Sequence, residues 1–235
     1  SIGSVVNAAS QMPGAVAPGE IVTIYGYGVG PSQTAGFTLD SSGNAATTLN
    51  GALVLFDGRP APLIYGSAGQ VNAIVPYEVA NQAATTIEVV SSGTKSQAWG
   101  VAVTAASPAI LTVSGSGTGR GAVLNQDNSV NGASNPAARG SVIQIFATGE
   151  GQTSPPGVTG SITQSDTKTP VLPVTVTIGG IDARVQYAGS APGAVAGLLQ
   201  VNVTVPAGVT QGASVPISLK VGGVPSPDGV TIAVQ

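Results

Sequence analysis

The chain has 235 residues, enough for two domains with separate cores, and only 7% of them are charged, with 7 Lys plus Arg against 10 Asp plus Glu. It contains no cysteine and no histidine, which removes disulfide scaffolds, thiol nucleophiles, Ser-His-Asp triads, zinc fingers and histidine metal sites together. Its basic residues stand singly, so nothing tracks a phosphate backbone as a nucleic-acid binder must, and no apolar run approaches the ~20 residues of a membrane-spanning helix.

With 34 Gly and 17 Pro, the chain is punctuated every few residues, which suits short strands and tight turns and excludes long helices. Residues 1–9 precede the first predicted strand and carry Ile2, Val5 and Val6, apolar residues fit to add a strand to a neighbour's open sheet edge. Strands are then expected at 20–25, 52–56, 61–65, 70–75, 85–91 and 99–105, from β-branched runs bounded by Gly, Pro or Asn. Asp57-Gly58 offers the positive φ angles of a two-residue hairpin turn, and Pro76 ends its strand because it has no N–H to donate. After the Gly/Ser stretch 114–120, read as a linker, the series returns at 141–147, 174–178, 183–187, 199–205, 214–221 and 230–234. Gly179-Gly180 and Pro206 sit at the equivalent places.

The return is a repeat. GEIVTIYGYGVG at 19–30 matches GSVIQIFATGEG at 140–151, so Gly19, Gly28 and Gly30 recur as Gly140, Gly149 and Gly151 at an offset of 121. Gln70-Val71-Asn72 through Pro76 recurs as Gln200-Val201-Asn202 through Pro206 at an offset of 130. Two matched blocks in one order describe a duplicated, domain-sized unit. The expected architecture is all-β, two tandem immunoglobulin-like antiparallel β-sandwiches, residues 1–113 and 121–235 with 114–120 between them. The second copy carries two insertions, 152–173 and 189–197, which read as surface loops.

Candidate sites are sparse. Scattered carboxylates leave a glycosidase-type pair unsupported, and few aromatics offer a sugar-stacking surface, so no catalytic residue is assigned and no cofactor is expected. Asp127-Asn128-Ser129-Val130-Asn131-Gly132 resembles the opening of a calcium loop, but its twelfth position is Ala138 where a bidentate Glu is needed; a polar hairpin turn explains it better and no metal is expected. Asn72 and Asn202, each four residues before a Pro, are read as bonding a neighbouring loop backbone in both copies. Lys95, Lys168 and Lys220 are read as ordinary solvated lysines rather than partners in Lys-Asn crosslinks. Tyr65 and Tyr187 are equivalent and read as packing, whereas Tyr27 and Tyr77 face Thr148 and Ala207 in the other copy. Tyr27, Tyr77 and Trp99 are therefore the candidate binding surface.

The blocks Asn7-Ala8-Ala9-Ser10, Pro18 to Gly26, Val71 to Val79, Asn135 to Gly140 and Ala147 to Gly151 together resemble the C-terminal domain found in large secreted acidobacterial proteins, the Solibacter type, over nearly the whole chain. The resemblance implies an immunoglobulin-like fold in an exported or surface-associated protein whose signal peptide has been removed, and it brings no activity or site residues. The expected function is a non-enzymatic extracellular structural or adhesion protein that associates with itself, as a filament through its N-terminal segment, or with other surface proteins. The rival reading is a carbohydrate- or ligand-binding module of a secreted multi-domain protein, with a glycan as partner.

Overall fold

The computed structural model describes residues 1–235, and it is all-β, with one short 3₁₀ turn at Tyr77–Val79. No helix is long and apolar enough to cross a membrane. The first half holds seven main strands: β1 (Ile2–Asn7), β2 (Ile21–Gly26), β3 (Ala52–Phe56), β4 (Leu63–Ser67), β5 (Gln70–Ile74), β6 (Ala84–Ser91) and β7 (Trp99–Ala102). One antiparallel sheet runs β1-β2-β5-β4 and a second runs β7-β6-β3. Alternation along the strands decides which side is covered. Val22, Ile24, Val71 and Leu63 from one sheet meet Val54, Phe56, Ile87 and Val89 from the other in a single apolar core.

The second half contains β8 (Ala109–Ile110), β9 (Val123–Leu124), β10 (Val142–Thr148), β11 (Val174–Ile178), β12 (Ile181–Ser190), β13 (Leu199–Thr204), β14 (Gly212–Val221) and β15 (Val230–Val234). Here the layers form one continuous sheet, because β12 is long enough to serve both. Its Ile181–Ala183 end pairs with β11 and its 184–190 portion with β13, with a bulge between Val185 and Tyr187. The first half follows the same path, but Pro60 and Pro62 interrupt it. Only Arg59–Pro60 pairs with β3, and β4 starts at Leu63, since proline cannot donate to a ladder. The second core gathers Ile143, Ile145, Ile178, Leu199, Val201 and Leu219, and shares no residue with the first.

Two expectations change. The chain passes from one core to the other between Val103, packed on the first, and Ala106, inside the second. The stretch 114–120 lies within the second half: Gly119–Arg120 pairs in parallel with β15, and Gly119 N donates to Gly229 O at 2.8 Å. Gly115, Gly117 and Gly119 all have positive φ, so glycine serves a tight path there rather than slack. The N-terminal segment is likewise not free. Val5 and Val6 are buried and pair with Ile24 and Thr23, while Ile2 is half-buried opposite Gly26, so this apolar segment already completes its own sheet.

Phe56 is fully buried between the two sheets of the first core. Phe56→Ala should cost about 3–5 kcal/mol in a urea unfolding titration; a loss below about 1 kcal/mol would contradict this packing.

Candidate functional site at the junction of the two cores

The turn Pro18-Gly19-Glu20 delivers the chain into β2. Gly19 has φ +76°, and Glu20 folds back so that its Oε2 accepts from Ala17 N at 2.7 Å. The second half meets this end of the first through the C-terminal end of β10. Thr148 Oγ1 accepts the Ile21 N–H at 2.9 Å and donates to Gly197 O at 2.8 Å, with no solvent exposure. Asn7 adds a second tie, its Nδ2 donating to Ser107 O at 3.0 Å. The backbones approach so closely that side chains are excluded. A Cβ on Gly197 would strike Gly19 O across the joint, while Cβ atoms on Gly149 and Gly151 would strike Ser107 O and Ala105 O, where the chain enters the second half.

The two insertions read as surface loops are in fact the clamp of this joint. Thr159 Oγ1 accepts from Tyr77 N at 3.0 Å and donates to Glu78 Oε2 at 2.7 Å, Gln152 Nε2 donates to Tyr77 O at 3.2 Å, and Ala45 N donates to Gly160 O at 2.8 Å. The second insertion braces the first, with Thr163 N donating to Ala194 O and Ala196 N to Ser161 O, both at 2.8 Å. Tyr77, a candidate for an open binding face, is only 4% exposed, because its ring is wedged against Gly19 and Gly157.

Glu20 and Glu150 are the only charged residues buried in the protein, 1% and 2% exposed, and no cation accompanies them. Burial pushes the Glu20 carboxyl up to about 8, partly offset by the Ala17 N–H and by Asn7 and Ser107. Burial likewise pushes Glu150 up to about 8, offset by its own backbone N–H and the Tyr77 hydroxyl and reinforced by Glu20. The Tyr77 hydroxyl lies close enough to act on Glu150 but without full hydrogen-bond geometry, and Glu150 Oε2 is left with no partner. Tyr77 is itself raised far above the usual phenol range by burial and by Glu150. Carboxyls protonated at neutral pH also occur as catalytic acids. Both lie in the joint, and Glu20 lines a cavity of about 200 Å³ beside Asn7, Met12 and Ser107.

The remaining candidates are dispersed. Tyr27 is 89% exposed just beyond the end of β2, whereas Tyr77 lies beside the start of β2, and six strand residues of roughly 3.4 Å rise separate those ends by about 20 Å. Trp99, 36% exposed, sits on the other sheet opposite Ile87. The three rings therefore form no common platform. Lys95 pairs with Glu88 at 2.7 Å. Asn72 and Asn202 do not bond a loop; each accepts from the glutamine two residues earlier, Gln70 Nε2 at 2.8 Å and Gln200 Nε2 at 2.9 Å. In the segment resembling a calcium loop, Asn131 turns into the core and donates to Ala233 O, while Asp127 Oδ1 accepts from Ser129 N, as a polar turn requires. Thr148, Glu20 and Glu150 were not singled out by motif, although Ser141 and Val29 stand where the repeat would place the two glutamates' counterparts.

No protein-family profile matches the chain, and no curated protein sequence matches it. Among solved structures, it is similar to domains 5–6 of the S-layer protein SbsC, at 14% identity and a TM-score of 0.32, over 100% of this chain and 97% of that one. It is also similar to the full extracellular region of Plexin A4, at 14% identity and a TM-score of 0.31, over 100% of this chain but 18% of that one. Overlaps at this level do not establish a shared topology.

The buried glutamates link folding to pH. Because their folded values lie above the ordinary 4.5, the folded state retains protons that the unfolded chain has lost. Their stabilisation is complete below pH 4.5 and is lost as pH rises through 8, with a slope approaching about 1.4 kcal/mol per pH unit for each group. Urea midpoints at pH 5, 6.5 and 8 should fall in that order, and Glu150→Gln should flatten the decline; a flat wild-type profile would refute the assignment. Separately, Gly149→Ala should be far more destabilising than Gly28→Ala. Both glycines have positive φ, costing roughly 1–2 kcal/mol for alanine, but only Gly149 faces a backbone that its Cβ would strike.

Proposed function

We propose that this chain is a stiff, non-enzymatic structural or adhesive module of an extracellular or cell-surface protein, made of two tandem immunoglobulin-like sandwiches. The observation that carries this reading is the joint. Two units joined by a slack tether sample many angles. Here the backbone contact of Gly197 with Gly19, the Thr148 bridge, the Asn7–Ser107 bond and a two-loop clamp hold the units at one angle, so that the outer ends keep a set separation. A spacer or surface-layer element uses such stiffness. The surface chemistry agrees with it, since few charges and abundant Ser, Thr and Asn suit close packing among neighbours. The resemblance to the secreted acidobacterial domains points to the same compartment.

The absence of cysteine makes the test direct, because two introduced cysteines are the only labelling sites. Gln97→Cys and Thr210→Cys, both at exposed positions on opposite units, carry spin labels for double electron–electron resonance. A single narrow distance distribution at pH 6 is expected, broadening in a Glu150→Lys variant that forces a charge into the joint. A broad distribution in the otherwise unaltered chain would sink the stiff-spacer reading.

A further inference from the structure

The repeat relates the two ends of each unit, and the joint shows what those ends do. In the second unit, the end formed by Thr148, Gly149, Glu150 and Gly151 is buried, and its Thr148 accepts the Ile21 N–H of the first unit. At the same end of the first unit, Val29 and Gly30 are buried within their own sandwich and Tyr27 exchanges backbone bonds with Ser1, but the Tyr27 ring and Gly28 face outward. Tyr27 is 89% exposed, and a Cβ on Gly28 would meet no atom, whereas one on its counterpart Gly149 would strike backbone. A groove of about 730 Å³ opens there, lined by Tyr27, Gly28, Ser92, Thr94, Lys95 and Gln97 among others. The opposite end of the second unit is equally free. Gly140 and Ala207 are exposed where Gly19 and Tyr77 are buried in the joint, and a groove of about 490 Å³ runs beside Asn125, Asp127 and Ser141.

We propose that a second copy of this chain seats its Gly140–Ser141 end on the Tyr27–Gly30 end of the first, continuing head to tail the stacking that the joint displays within one chain. Two observations fit this occupant better than an unrelated one. The two surfaces are the repeat counterparts of surfaces already in contact. Their bulk is exchanged: the joint places a ring on the lower surface (Tyr77) and a small residue on the upper (Thr148), whereas the free ends place the ring above (Tyr27) and the small residue below (Ala207). The clamp loops 152–173 and 189–197 belong to the second unit, so the contact between copies lacks their bonds and is weaker than the joint. Being heterologous, it cannot end at a two-fold dimer and builds an open chain of copies unless its rotation closes a ring. No exchange of β1 is needed, so β1 stays in its own sheet.

The inference goes beyond the stiff-spacer reading, which stands if the chain proves rigid but monomeric. The test is sedimentation velocity with negative-stain imaging across a concentration series. Wild type should form progressively longer linear species as concentration rises. Tyr27→Asp alone and Ala207→Arg alone, both at exposed positions that leave the cores intact, should each weaken self-association by roughly tenfold or more. Mixed together, they should yield dimers and nothing longer, because each variant retains one working end. A wild type that stays monomeric to about 1 mM overturns the proposal, as does a closed dimer or assembly indifferent to both substitutions.

Discussion

A single hydroxyl sets the relation between the two halves of this protein. Thr148 Oγ1 accepts the first amide of β2 from one core and donates to a carbonyl of the other, and it does so without solvent exposure. An amide at the start of a strand has no ladder partner of its own, and leaving it buried and unpaired would cost about 1–3 kcal/mol. The bond can form only at one approach of the two halves, and that approach brings Gly197 against Gly19 O, where any side chain would collide. Burial of Glu20 and Glu150 follows from the same closeness, because the turn carrying one and the strand end carrying the other are pressed together. A charge at that depth is opposed by desolvation, so the joint retains protons rather than an ion pair.

The asymmetry between the copies has a physical origin. Both copies follow the same strand path, and Gln70-x-Asn72 and Gln200-x-Asn202 make the same side-chain bond in each. They differ where one copy must dock and the other is open. The docking end has Thr148 in place of Tyr27 and Glu150 in place of Val29, while the seated surface has Tyr77 in place of Ala207. The two insertions that lengthen the second copy are the parts that grip the first. The two halves differ in a handful of residues and two loops, and those are the parts that meet in the joint.

Much of the fold was legible because a strand advertises itself locally. Alternating β-branched residues, Asp57-Gly58 and Gly179-Gly180 turns, and strand-ending prolines each act over a few residues, and the strands fall close to where those signals stand. The joint was less legible because its signals are not local. Glu20 and Thr148 carry no motif; they matter because residues 127 apart along the chain are hydrogen-bonded in space. Tyr77 was misread for the same reason. A ring that breaks the repeat marks either an open binding face or a contact between the copies, and composition cannot distinguish them. The Ser114 to Arg120 stretch was misread because glycine serves both slack tethers and tight positive-φ turns, and only its pairing with β15 separates the two.

By itself, the sequence determined that the chain is all-β, that one block recurs along it, and roughly where its strands and turns fall, since these follow from periodicity and turn chemistry within a few residues. Tertiary structure alone decided where one unit hands over to the next, that the N-terminal strand is already spent on its own sheet, and which aromatic is buried and which is open. It also decided that two carboxyl groups share a site where water cannot solvate their charge. Those outcomes depend on which distant surfaces meet, and no run of neighbouring residues encodes that meeting.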